Sequence, residues 1–400
     1  MTYPKLKLKT GRDWSVKRGH AWLFSGGLQS IPKNLETGSI VDLFTAADEF
    51  LARGYYNPKT DIAVRVLSYK PEETIDQTFF ERRLATALAS RQNYFAATET
   101  NAYRLVNAEG DWLPGLIIDY YAGYLVVQSH TAGIDKQIDC ITQALITVIA
   151  PKGILLRNDV AVRSREGLSK EEPRLLFGEI PAEVVITENG LLFSLDLWKG
   201  QKTGFYADQR DKRLALQSYA KNAASLLNCF SYTGGFSVYA AKANPALKVT
   251  SVDQSAPALE IAKRNFSLNS LPLEGQEFLA IDAFDFLQAQ KTKSITYDMV
   301  ILDPPAFAKS NREKDKALQG YLRLNRLGIP LVKDKGILIT CSCSGSISST
   351  DFEESIIQAA MQTGARLQLL EVMQHGIDHP LNLAVPENRY LKVLFCRVFR

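Results

Sequence analysis

The sequence predicts an α/β protein whose C-terminal half is a seven-stranded Rossmann-like domain, preceded by a small β-barrel and a small α+β domain. Three observations predict the Rossmann-like part. An apolar run, Leu226 to Phe230, is followed by Gly234-Gly235 and a helix-like run from Phe236 to Ala243. Strand, tight turn and helix in that order is how an open α/β sheet builds a ligand site. Next, three strand-like runs each finish in a carboxylate: Lys248–Val252 before Asp253, Glu277–Ile281 before Asp282, and Tyr297–Leu302 before Asp303. Ligands bind outside the carboxyl ends of parallel strands, so these groups are expected to converge. Finally, Lys335–Thr340, a helix over Asp351–Thr363, and the runs Leu367–Val372 and Arg389–Phe399 complete seven strands. The last two lack an intervening long helix and are expected to pair antiparallel.

The turn has a physical role. Glycine lets the backbone reverse sharply and lets a ligand approach. The helix behind it presents free N–H groups and a positive dipole end. The dinucleotide fingerprint G-x-G-x-x-G is absent, which disfavours a nicotinamide oxidoreductase. Asp253 lies about 20 residues beyond the turn, the position from which an acid binds ribose hydroxyls.

Composition narrows the class. The 400 residues are 46% apolar and 22% charged, ordinary for a globular chain of two or three domains. No apolar run reaches membrane-spanning length, so no membrane is expected as a partner. Met-Thr-Tyr-Pro-Lys lacks the apolar core of a secretion signal, so a cytoplasmic location is expected. Cysteines 140, 229, 341, 343 and 396 are an odd set without framework spacing, which argues for reduced thiols. There is no C-x-x-C, and His375 and His379 lack a metalloprotease pattern or a third ligand, so no metal is expected. The net charge of +4 permits RNA binding without requiring it.

Taken in order, residues 1–72 read as short strands and turns, a small barrel. Leu6-Lys-Leu-Lys9 alternates, and Lys17 and Arg18 stand among Trp14, Trp22 and Phe24. Basic residues among aromatics suit phosphate contact with base stacking; a charged strand edge over core aromatics is the alternative. Lys70-Pro-Glu-Glu-Thr74 is a linker. Residues 73–182 read as the α+β domain, with helices over Phe79–Tyr94 and Asp135–Ile149 and strands over 103–110, 115–128 and 153–157. Asp119 and His130 there read as structural. Leu168–Glu179 is charged and proline-bearing and marks a second boundary, so residues 183–400 are the Rossmann-like domain.

Asn228-Cys-Phe-Ser-Tyr-Thr-Gly-Gly-Phe236 together with Asp303-Pro-Pro-x-Phe307 resembles the S-adenosylmethionine (SAM)-dependent RNA methyltransferases. More narrowly, it is similar to the ribosomal large-subunit RNA cytosine-C5 methyltransferase I family. Arg18-Gly-His-x-Trp-x-Phe-Ser25 and Gly54-Tyr-Tyr-Asn-Pro58 resemble that family's PUA module, which implies an RNA-binding N-terminal domain contacting RNA through Lys17 and Arg18. The resemblance covers nearly the whole chain. It implies SAM as cofactor and ribosomal RNA of the 23S type as partner, and it leaves a homodimer open.

The chemistry asks more than the turn does. An exocyclic amine already carries a lone pair. Carbon 5 of cytosine is a poor nucleophile and needs a thiolate to add at carbon 6, with an acidic group at N3. Cys341 and Cys343 both follow the fifth strand, whose end neighbours that of the Asp303 strand. The family's Ser-Cys-Ser-Gly string matches Ser342–Gly345 and assigns the nucleophile to Cys343, leaving Cys341 to packing. Asp303 is then the N3 contact. The resemblance places Thr203, Phe205, Gln209 and Arg210, in the string Lys199–Arg210, beside the cofactor. It adds Phe230, Tyr232, Gly234, Gly235, Ser237, Asp253, Asp282, Ala283, Asp303 and Pro304, with Asp253 on the ribose and Asp282 on the adenine amine. Phe307 is placed to stack on the flipped base, with Tyr321 and Asn325 lining its pocket; Leu322 departs from the basic residue common there. Asp378-His379-Pro380, Pro386-Glu387 and Tyr390-Leu-Lys392 match a C-terminal loop over the pocket. Two alternatives stay open: methylation of a guanine nitrogen, which would not need Cys343, and an idle RNA- and SAM-binding assembly protein.

Overall fold

The computed structural model describes residues 3–30, 34–308 and 310–400. The chain forms two compact units. One comprises Met1–Thr187, Leu195–Ala207 and Ile377–Asn388; the other Glu188–Ser194, Asp208–Gly376 and Arg389–Arg400.

The first unit contains two five-stranded sheets. In one, Lys5–Lys7, Ile40–Phe44, Phe50–Tyr56, Ile62–Ser68 and Trp22–Phe24 lie side by side in that order. Leu6, Leu8, Val41, Leu43 and Val64 fill its core while Lys5 and Lys9 stay exposed, the alternation of a half-buried strand. In the other, Arg174–Gly178 stands at one edge, followed by Gly153–Leu156, Tyr124–Ser129, Leu116–Tyr121 and Ala102–Asn107. Helices Gln77–Tyr94 and Ile138–Ile149 share this sheet's apolar core through Phe79, Leu84, Ile141 and Leu145. The first of them starts where Asp76 accepts the Phe79 N–H at 2.9 Å. The stretch read as a boundary, Leu168–Glu179, thus contains a strand. Arg174–Gly178 is mostly exposed and lies at a sheet edge, so it has no buried face to impose alternation. Asp119 holds Arg104 by two bonds of 2.6 and 3.1 Å, a structural tie.

The second unit is built on a seven-stranded sheet. Helix α1 (Arg210–Ala220) leads into β1 (Ser225–Cys229), α2 (Gly235–Ala243), β2 (Lys248–Asp253) and α3 (Ala256–Leu268). Next come β3 (Glu277–Ala280), α4 (Ala283–Thr292), β4 (Tyr297–Leu302), α5 (Lys314–Gly328) and β5 (Val332–Ser342). The chain closes with α6 (Ser349–Gln362), β6 (Arg366–Met373) and β7 (Lys392–Phe399). The order across the sheet is β3-β2-β1-β4-β5-β7-β6. All neighbours are parallel except β7, which runs antiparallel to both β5 and β6. Residues 226–229 of β1 are all buried, as befits a parallel strand covered on both faces. The order reverses direction between β1 and β4, and the carboxyl ends of those strands border the crevice where such sheets bind ligands. Among the described residues no helix is long and apolar enough to cross a membrane.

Candidate active site

The loop between β1 and α2 is conformationally demanding. Phe230, Tyr232 and Gly234 all have positive φ, at 61°, 48° and 76°. Two non-glycine residues in the left-handed region within five positions store strain that the surroundings must hold. Asp253, at the end of β2, supplies part of that hold: it accepts the Tyr232 N–H at 2.8 Å and the Ser255 N–H at 2.9 Å. A Cβ on Gly234 would sit 2.9 Å from the Ala262 Cβ of α3. Gly234→Ala is therefore expected to cost about 1–2 kcal/mol of stability and to weaken cofactor binding. Thermal denaturation and titration calorimetry would check both, and a variant matching the wild type in each would refute this account of the turn.

Beneath the loop, Asn228 donates to Ser237 Oγ at 2.9 Å, and Ser237 Oγ lies 2.8 Å from Ser251 Oγ. Ser237 thus ties β1, α2 and β2 together in the interior. Asp282 caps α4, accepting the N–H groups of Phe284 and Asp285 at 2.8 and 3.1 Å and a bond from Gln254. Its neighbour Ala283 is buried.

Asp303 leaves β4 half-buried. Gln209, just before α1, donates its amide to both Asp303 oxygens, at 3.1 and 3.0 Å. Cys341 bonds to the same carboxylate from β5. Burial first, and then the Asp303 charge, push that thiol well above its ordinary range, so Cys341 stays protonated. Cys343 lies one residue past the end of β5, where its Sγ is 3.7 Å from the Pro304 carbonyl and the side chain is half-exposed. Ala308 N–H donates to Ser344 Oγ at 3.3 Å and joins these loops, and Tyr321 Oη of α5 lies 2.9 Å from the same oxygen.

Phe307 packs within an aromatic row, its ring centroid 4.8 Å from Tyr321 and 6.2 Å from Phe284. Phe230 meets Phe284 edge-on at 6.3 Å. A Cβ on Gly320 would be 2.9 Å from the Phe307 ring, so glycine there is what admits it. Tyr321 and Asn325 are fully buried, Asn325 donating to the Tyr321 carbonyl one helical turn back at 2.9 Å.

Further expected site residues divide between the two units. Arg210 pairs with buried Glu188 at 3.3 Å, and Arg213 joins the same carboxylate at 2.7 Å. Thr203 and Phe205 fall in the first unit, where Thr203 donates to Asp119 at 2.6 Å. His379 is in the first unit too, buried, with its Nδ1 3.1 Å from Asp378. Lys17 pairs with Asp13 at 2.5 Å, while Arg18 lies over the exposed Trp14 ring, 4.4 Å from its centroid. The C-terminal match divides: Asp378–Pro380 and Pro386–Glu387 belong to the first unit, whereas Lys392 begins β7 rather than lying in a loop.

Sequence reasoning named Lys392 only within that loop string and gave it no role of its own. It is 5% exposed and donates to the Ser344 carbonyl at 2.7 Å and the Tyr390 carbonyl at 3.0 Å. A lysine at the start of a mostly apolar, mostly buried strand was the available signal. Its partner was not readable, because that depends on the β5–β7 register.

Comparison with known proteins supplies the family. Residues 6–69 match the PUA-like domain model, and residues 113–381 match that of the S-adenosylmethionine-dependent methyltransferases. A relative from Aeromonas salmonicida, ribosomal RNA large subunit methyltransferase I, is 42% identical over 391 residues, 98% of each chain. The chain belongs to the ribosomal RNA large subunit methyltransferase I family. Solved structures agree on the fold of this family member. A Streptococcus mutans protein described as a SAM-dependent methyltransferase superimposes with a TM-score of 0.84 at 26% identity, covering 98% of this chain and all of that one. A further methyltransferase, complexed with SAH, has the same score and identity and covers 99% of this chain and 100% of its own.

The cofactor of this family member is SAM. The residues fit it. Gln209 Oε1 and Ser231 Oγ are buried with no hydrogen-bond partner among the described residues, which leaves polar atoms for a ligand to satisfy.

Proposed function

We propose that this protein methylates carbon 5 of a cytosine in large-subunit ribosomal RNA through a covalent Cys343 adduct. The observation that carries this reading is the placement of Cys343: a half-exposed thiol 3.7 Å from the Pro304 carbonyl, on the loop that Asp303 begins. Of the other thiols in the second unit, Cys229, Cys341 and Cys396 are buried. A guanine nitrogen already has its lone pair and requires no thiol at this point. The names of the relatives support the choice of RNA, and the PUA-like match supports RNA contact by the first unit, with Trp14, Lys17 and Arg18 on its surface. Work on that RNA belongs in the cytoplasm.

Cys343 Sγ forms a bond to carbon 6, and the ring π pair moves toward carbon 5. Asp303 hydrogen-bonds at N3 as charge develops there. When bound, SAM would supply the electrophilic methyl group, its sulfonium S–C bond breaking with the pair left on sulfur as SAH. Carbon 5 takes that methyl and then loses its proton to a base, and expulsion of the Cys343 thiolate restores the ring double bond. Gln209 and Cys341 fix the Asp303 carboxylate. For the cofactor, Gly234 and Gly235 would admit the methionine end, Asp253 would face the ribose, and Asp282 with Ala283 the adenine. Gln209, Phe230, Tyr232 and Pro304 would border it. Phe307 would face the base.

The test is the identity of the product. Large-subunit RNA from cells lacking the protein, incubated with tritiated SAM and enzyme and then digested, is expected to carry label in 5-methylcytidine. Label in a guanine nucleoside would overturn the base assignment. Intact RNA and SAM binding with no label in any nucleoside would instead favour an assembly protein.

A further inference from the structure

We propose that Lys392 is a positioning residue for the covalent step: its ammonium, pinned beside the turn that carries Cys343, holds that side chain as a thiolate. The proposal rests on Cys343 being the nucleophile, and deepens that reading.

The geometry comes from sheet register. Lys392, the first residue of β7, pairs with Ser342, the last residue of β5. Cys343 follows directly. The ammonium donates to the carbonyls of Ser344, at 2.7 Å, and Tyr390, at 3.0 Å, so one hydrogen bond is made to the residue next to Cys343. Both acceptors are neutral, and no described carboxylate lies within ion-pair distance of the ammonium. A buried ammonium without a counter-charge is costly. The anions in its reach are a Cys343 thiolate and Asp351, and Asp351 is already paired with Lys314 at 2.7 Å.

Tyr321, on α5, is pushed up to about 12 by burial and stays neutral. Asp303, on the β4 loop, would oppose a thiolate, and its carboxylate is engaged by Gln209. Burial draws Lys392 down to about 8, with Cys343 and Asp351 opposing the fall. The ammonium is therefore charged at neutral pH. Its support for the thiolate is full below about pH 8 and fades as pH rises through that value.

Alkylation of Cys343 by iodoacetamide reads this directly. It is followed by peptide mass spectrometry across neutral and alkaline pH, on the full chain without RNA or SAM. The wild-type midpoint at Cys343 is expected below that of the same residue in the urea-unfolded chain. Lys392→Met should raise the midpoint by about one pH unit, with Lys392→Arg close to wild type. Methyl transfer by Lys392→Met should fall roughly tenfold at neutral pH and recover in alkali. A wild-type midpoint at or above that of the unfolded chain, or an unchanged midpoint in a folded Lys392→Met protein, would overturn the proposal. Neither outcome bears on the product, so failure here is distinct from failure of the covalent reading, which would appear as 5-methylcytidine formed without Cys343, and of the cytosine assignment, which would appear as label in a guanine nucleoside.

Discussion

Cys343→Ala is expected to lower methyl transfer by on the order of 10⁴-fold or more, while leaving SAM affinity near wild type. Carbon 5 of cytosine does not attack a methyl group until a nucleophile has added at carbon 6. No neighbouring thiol can take over. Cys341 is fully buried, and burial with the Asp303 charge keeps it protonated. Cys341→Ser retains a donor toward Asp303 and should stay within about tenfold of wild type, since its hydrogen-bonding role survives. Single-turnover assays with tritiated SAM would measure both. RNA carrying 5-fluorocytidine adds an independent readout, because its methylated carbon has no proton to lose. It should trap a protein–RNA adduct with wild type and none with Cys343→Ala. Undiminished 5-methylcytidine from the alanine variant would end the covalent account.

Asp303→Asn should cost about 10²- to 10⁴-fold in the chemical step. Asparagine keeps the shape and can still accept from Gln209, which now donates to both carboxylate oxygens at 3.1 and 3.0 Å. What it lacks is the charge and the proton exchange that N3 requires as the ring becomes electron-rich. The loss should therefore appear in the single-turnover rate more than in RNA affinity. A rate within about threefold of wild type would remove Asp303 from the chemistry and leave it the structural role of holding its loop.

Much of this arrangement was legible before any coordinates. Strands that end in Asp253 and Asp303, and a glycine turn between strand and helix, are local patterns. A buried parallel strand needs an unbroken apolar run, and a left-handed turn selects glycine. The two cysteines at the end of β5 were legible for the same reason. Other features were invisible. Arg174–Gly178 is an exposed edge strand and carries no alternation. Ser237 and Tyr321 are buried, and their partners Asn228, Ser251 and Ser344 could not be read from local pattern.

By itself, the sequence determined the order of the seven strands of the second unit, the turn at Gly234, the carboxylates at the strand ends and the residue types the chemistry needs. These follow from periodicity and backbone sterics acting over a few residues. Tertiary structure alone decided which of two cysteines is open and which is locked against Asp303, that Gln209 holds that carboxylate, and that Arg210 pairs with Glu188. It alone set Lys392 beside Cys343. Those pairings join residues far apart in the chain. They depend on strand register and on burial, which raises a thiol in one position and leaves another half-exposed two residues away.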